Sequence, residues 1–268
     1  MLRDITLGQY FPGKSVIHRL DPRTKLLVLI LYIVALFTAG NWVSYGLCLL
    51  FLVSTIVIST IPWKAIIRGM KPLVMLLIFT ALLNLLFTRD GRVLVSFWGI
   101  VITLEGVIRA FFLTMRILML ITGTFLLTYT TSPISLTDGL ESLMGPLKKI
   151  HVPVHELSMM MCIALRFIPT LIEETDKIMS AQKARGADFE TGKLMQRVKA
   201  MIPILIPLFI SAFRRAEELG TAMECRCYQG GNGRTKMKQL HYQRWDFYAF
   251  GVGILLLAAV ILLKNFGL

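Results

Sequence analysis

The sequence predicts an all-α membrane protein, with about five transmembrane helices and one long α-helical insert on the cytoplasmic side. Three observations carry that expectation. Hydrophobic residues make up 55% of the 268 and charged residues 17%, with a mean hydropathy of +0.67, against about 25% charged in an ordinary soluble domain. The apolar residues gather in runs suited to crossing a bilayer as helices, at 25–39, 42–61, 72–88, 107–129 and 246–263. The basic residues gather between those runs. There are five Lys/Arg against two acids in residues 1–25, then Lys64, Arg68 and Lys71 with no acid in 62–71, then 16 against 11 in 130–245. Placing all three blocks in the cytoplasm gives a consistent alternation, N-terminus inside and C-terminus outside. The net charge of +13 is therefore a topology signal. With no aromatic-interleaved basic patch or groove-reading motif, it does not point to nucleic acid.

The first element, 1–24, is a turn-rich cytoplasmic entry segment. It contains Gly8-Gln9-Tyr10-Phe11-Pro12-Gly13-Lys14-Ser15, a match to G-x-x-x-x-G-K-[ST]. A phosphate-binding loop of that pattern needs a buried strand before it and a helix after it. Here only seven residues precede the motif, Pro12 removes one N–H from the cradle, and Asp21-Pro22 stops any helix within two turns. The match is read as coincidence. Because the chain starts with charged and turn residues, no secretory signal is expected.

Residues 25–129 hold the first four spans, and 246–268 the fifth. The run VLVSFWGIVITL at 93–104 is too short to span and rich in β-branched and aromatic residues, so it is expected as a small external hairpin or interfacial turn. MIPILIPLFISAF at 201–213 is also short, and Pro203 and Pro207 interrupt it.

The insert, 130–245, is long enough to be a domain. A short helix is expected from Ser135 or Thr137 to Gly145-Pro146. Apolar residues at helical spacing then predict a long helix over about 153–186, and a second over about 194–227 ending at Gly230-Gly231. The two end alike. Ser180-Ala181-Gln182-Lys183-Ala184-Arg185-Gly186 and Thr221-Ala222-Met223-Glu224-Cys225-Arg226-Cys227, offset by 41 residues, place Ser over Thr, Ala over Ala and Arg over Arg. Two readings of these ends stand open. Each Arg is a cation in a helix's last turn, favoured by the macrodipole, or each is a guanidinium at the tip of a lever, with small neighbours that let a partner close around it.

These residues resemble the EcfT family, the transmembrane subunits of energy-coupling factor transporters, which are ABC-type importers of vitamins and trace metals in prokaryotes. The resemblance rests on the stretch from Tyr10 to Lys25, on Ala184-Arg185-Gly186 and on Glu224-Cys225-Arg226-Cys227-Tyr228, and it covers essentially the whole chain. It implies a non-catalytic scaffold in the cell membrane. Ala184, Arg185 and Gly186 would dock one ABC-type ATPase subunit, and Cys225, Arg226 and Cys227 a second. The membrane and coupling helices would hold a membrane-embedded substrate-binding S-component. ATP would be hydrolysed by the partners, and no cofactor or metal is implied. The second tip departs from the commoner small-Arg-small pattern by carrying Cys on both sides of Arg226.

Other readings of the same residues compete with this one. His151 and His155 have i, i+4 spacing, but position 159 is Met and Pro153 lies between them, so an H-E-x-x-H zinc site is not supported. Cys225 and Cys227 form a C-x-C pair without further ligands at metal spacing. A stand-alone channel or secondary transporter would need ionisable groups at mid-membrane. Arg116 and Arg109 in the fourth span are the only basis for it, and pairing with carbonyls or snorkelling is the plainer role. Met159-Met160-Met161 suits either core filling or an adaptable surface for interchangeable S-components.

Overall fold

The computed structural model describes residues 10–88, 92–97, 100–187, 189, 194–231 and 239–265. Gly8, Gln9, Asp188 and Gly192 lie outside the described residues. The chain divides into two compact units. The larger comprises Gly8–Gly139 with Leu240–Leu268, and the smaller includes Leu140–Gln239.

In the larger unit, α1 (Val16–Arg19) is a single turn capped by Ser15, and Leu20 leaves it in extended conformation. Helix α2 (Pro22–Thr38) restarts at once, because Asp21 accepts a hydrogen bond from the Arg23 N–H and Pro22 occupies the first helical position. Helix α3 (Trp42–Ser59) ends at Thr60, which adopts φ 57° ahead of Pro62. Helix α4 (Trp63–Phe87) begins well before the expected span at 72–88. The basic segment 62–71 is helical and not a loop, because its residues divide between two faces. Lys64, Arg68 and Lys71 are exposed, Ile66 is buried, and a Cβ at Gly69 would stand 2.7 Å from the Tyr129 hydroxyl. A residue without a side chain lets α4 lie directly on α5 (Leu104–Thr130).

The 93–104 run forms an antiparallel hairpin, β1 (Val93–Phe97) with β2 (Ile100–Thr103), in which Phe97 pairs with Ile100. Thr103 then caps α5 by accepting from the Gly106 N–H. Helix α9 (Arg244–Asn265) returns to pack along α2 and α3. The core lies where these helices meet, around Tyr32, Leu36, Cys48, Met119, Tyr129 and Val260. Apolar side chains also cover the outside, with Met75 83% and Phe87 79% exposed on α4. Beyond Lys71, α4 exposes apolar side chains to its surroundings, as a helix in lipid does.

The remaining helices are α6 (Pro133–Leu143), in which the division between the units falls, then a 3₁₀ turn at Gly145–Ile150, α7 (Val154–Ala184) and α8 (Leu194–Cys225). Helix α8 runs unbroken through Pro203 and Pro207. Five described helices are long and apolar enough to cross a membrane: α3, α4, α5, α7 and α9. The segment expected to be the first span, α2, is 17 residues long, about 25 Å at 1.5 Å per residue. Helix α7 meets the length and composition, although it also carries Glu156, Arg166, Glu173, Glu174, Asp176 and Lys177.

Candidate functional site

The phosphate-loop-like motif is committed elsewhere. Carbonyl oxygens only accept, so the His18 Nε2–H donates to Phe11 O at 3.0 Å and Nδ1 accepts from the Ser15 hydroxyl at 2.7 Å. The Phe11 N–H donates to Tyr129 O, and a Cβ at Gly13 would lie 2.7 Å from the imidazole. Among the described residues of the motif, the loop closes on a histidine. Burial holds the His18 pKa below its ordinary value of 6.5, with the nearby Lys25 acting in the same direction and the Phe11 carbonyl opposing.

Downstream, Leu20-Asp21-Pro22-Arg23-Thr24-Lys25 ties three helix ends together. Asp246, 2% exposed, accepts from the Asp21 N–H at 2.8 Å and from the Gln243 N–H at 2.7 Å. Lys25, 8% exposed, donates through Nζ to Thr130 O at 2.9 Å and Thr131 Oγ1 at 3.1 Å. The Arg23 guanidinium donates to Leu240 O and lies over the Tyr242 ring. These residues position the start of α2, the end of α5 and the start of α9. Arg116, weighed as a sign of an ion path, donates to Ala39 O at 3.0 Å at the end of α2, flanked by Phe37 and Tyr45. That is the carbonyl pairing of a structural arginine.

In the smaller unit, α7 and α8 run antiparallel. Gln182 donates to Pro203 O, Glu174 accepts from Ser211 Oγ and pairs with Arg215 at 2.9 Å, and His155 meets Tyr228. Partner positions rise along α8 as they fall along α7. The C-termini of the two helices therefore lie at opposite ends of the pair, separated by on the order of 40 Å at about 1.5 Å per residue.

The two ends share one backbone construction. At the first, Arg185 is the C-cap, the Gly186 N–H donates to Lys183 O and the Ala187 N–H to Gln182 O. At the second, the Cys227 N–H donates to Glu224 O and the Tyr228 N–H to Met223 O, with Arg226 in the capping place. Both are Schellman closures, which need a left-handed residue just after the cap. Gly186 supplies it at φ 88° and Cys227 at φ 54°. Every partner in one ring lies 41 residues from its counterpart in the other. Arg185 and Arg226 are exposed, as are Ala184, Gly186, Cys225 and Cys227.

Of the three methionines singled out, Met160 and Met161 are exposed and Met159 is partly buried. On α8, Met201, Leu205, Ile206, Phe209, Ile210 and Phe213 form an exposed apolar stripe at helical spacing. His151 and His155 do not face a common ion. His151 ends the 3₁₀ turn in left-handed conformation, while His155 Nδ1 lies 3.2 Å from Glu141 Oε1. Among the described residues, no three His, Cys, Asp or Glu side chains are grouped so as to hold a metal. Sequence reasoning weighed His155 only as a metal ligand and missed its contacts with Glu141 and Tyr228. No local signal marked them, because Glu141 and Tyr228 lie 14 and 73 residues away in the chain.

The chain matches the family model of CbiQ, cobalt transport protein, over residues 13–237. It is 50% identical over 264 residues to the energy-coupling factor transporter transmembrane protein EcfT of Ruminiclostridium cellulolyticum, covering 98% of each chain. To the protein of that name in Bacillus subtilis it is 46% identical over 261 residues, 97% of this chain and 98% of the relative. To that of Lactococcus lactis subsp. cremoris it is 48% identical over 245 residues, 91% and 92% of the two chains.

Proposed function

We propose that this chain, which belongs to the CbiQ family and is the transmembrane component of an energy-coupling factor transporter, passes the closing of two ABC-type ATPase subunits to a substrate-binding S-component. The observation that carries the proposal is the duplicated end: two long antiparallel helices, each closed by the same hydrogen bonds and each presenting an exposed arginine at its cap. Arg185 with Ala184 and Gly186 docks one ATPase, and Arg226 with Cys225 and Cys227 docks the other. A guanidinium keeps its charge at all working pH values and offers five donors to a carboxylate or to carbonyls. The small neighbours leave room for the partner to close on it.

ATP is then hydrolysed in the partners, and this chain carries the force. The S-component lies against the exposed Met160, Met161 and the α8 stripe, with Met159 beneath, and methionine's flexibility suits exchange among several such partners. In this arrangement α2, α3, α4, α5 and α9 cross the plasma membrane, with the N-terminus and the smaller unit in the cytoplasm and the C-terminus outside. The clustered Lys and Arg support that orientation. The charged residues of α7 support keeping it out of the bilayer. Reading the chain as a stand-alone channel or secondary transporter gains nothing from Arg116, whose guanidinium is bound to a backbone carbonyl.

Co-purification tests the proposal. Wild-type chain extracted from membranes is expected to retain two ATPase subunits, and Arg185→Glu with Arg226→Glu is expected to lose both. Retention of both by the double variant would return the two arginines to ordinary helix endings.

A further inference from the structure

The two tips share their backbone closure but not their surroundings. A Cβ placed on Gly186 would meet nothing within 4 Å. At the other tip, Tyr228 closes the ring by donating its N–H to Met223 O, and its hydroxyl reaches to 3.5 Å from His155 Nε2. The opposite ring nitrogen of His155 lies 3.2 Å from Glu141 Oε1 on α6. The second oxygen of that carboxylate accepts from Ser158 Oγ at 2.9 Å. The chain then turns back at Gly230, φ 84°, and Gly231 lies flush on the imidazole. A Cβ at Gly231 would stand 2.5 Å from His155 Cδ2 and 2.7 Å from Cγ. The imidazole is thus held by a carboxylate on one edge, a phenol on the other and glycine backbone against it.

We infer that His155, seated on Gly231 and oriented by Glu141, is a positioning residue that clasps the Arg226 tip to the start of α7 and to α6. The inference rests on reading Arg226 as an ATPase-docking residue. A clasped tip passes displacement directly to α6 and α7. The Arg185 tip has a different link, from Gln182 to Pro203 O on α8. The two ATPases would therefore act on this chain through different contacts, although the arginines they engage are equivalent in sequence. Tyr228 reaches the clasp only because the Schellman ring places it just beyond the cap. Gly231 is required there for close approach of a ring.

The test uses the whole transporter complex with a spin label at position 224 or, separately, at position 183. The variants are Gly231→Val, which occupies the imidazole's place, His155→Ala, and His155→Gln, which keeps a donor and an acceptor. With the first two, the label at 224 is expected to become mobile while that at 183 is unchanged. ATP-driven uptake should fall by roughly fivefold with substrate binding retained, and His155→Gln should restore most of it. Equal loosening at both positions, or no change at 224, overturns the clasp. Arg226→Glu, in the otherwise unaltered chain, separates the two layers of the proposal. If it sheds an ATPase while His155→Ala changes neither label nor uptake, docking stands and the clasp is wrong. If it sheds none, the docking reading falls, and the label at 224 alone decides whether the clasp exists.

Discussion

The larger unit buries its chemistry and the smaller one displays it. In the first, Asp21, Lys25 and Asp246 are charged groups drawn out of solvent to join helix ends, around a continuous apolar core. In the second, Val154 and Ile204 are the buried apolar side chains among the described residues, while α8 carries a row of exposed Met, Leu, Ile and Phe. The difference teaches that apolar helices of one chain can serve opposite ends. One set is folded by its own contacts, and the other leaves an apolar row exposed.

Equal perturbations should therefore fail in different assays. The largest loss is expected for Asp246→Ala, which strands the buried N–H of Asp21, frees that of Gln243 and removes a carboxylate near Lys25. Thermal unfolding of the purified chain should show a cost of about 3–5 kcal/mol; a loss below 1 kcal/mol would mean that the helix ends hold without it. Next is Gly69→Val. Its side chain would be driven into the Tyr129 hydroxyl, and overpacking of this kind costs roughly 1–3 kcal/mol.

In the smaller unit the expected stability changes shrink. Gly186→Val forces a β-branched residue into a left-handed backbone, for about 1–2 kcal/mol, whereas Cys227→Gly removes such strain and should be neutral or stabilising by up to ~1 kcal/mol. Differential unfolding of the pair checks whether the two closures are equivalent. Phe209→Ala and Phe213→Ala should shift stability of the isolated chain by no more than ~0.5 kcal/mol and yet reduce recovery of the S-component. Stability loss without loss of the partner would break the contrast between the units.

The smallest effect is a pH dependence in the larger unit. Burial depresses the pKa of His18 in the folded chain, so the unfolded chain binds more protons as pH falls. Its contribution is present above about pH 6.5 and declines below it. Proteolysis of the N-terminal segment should quicken between about pH 7 and 5 in the wild type, and His18→Gln should flatten that response.

Much of this was legible because it is written in local chemistry. Apolar runs marked α3, α5 and α9, the β-branched run at 93–104 marked the hairpin, and Asp21-Pro22 marked the break before α2. Segment 62–71 misled because its basic residues suggested a loop, when a helix can carry them on one face and set Gly69 against α5 with another. The tips were legible as a repeat in sequence, and the structure adds that Gly186 and Cys227 occupy the same left-handed place. Neither the web around Asp246 nor the seat of His155 could be read, because the partners are 225 and 73 residues apart in the chain and no periodicity connects them.

In the proposed docking, the antiparallel course of α7 and α8 makes the two arginines the ends of one ruler. A pair of partners whose pockets match that spacing gains its second contact at an effective concentration in the millimolar range, while a mismatched pair holds by a single end. Choice among partner pairs then becomes a matter of length more than of side-chain chemistry. Adding or removing one helical turn, about 5.4 Å, would change which pairs the chain accepts without altering either arginine.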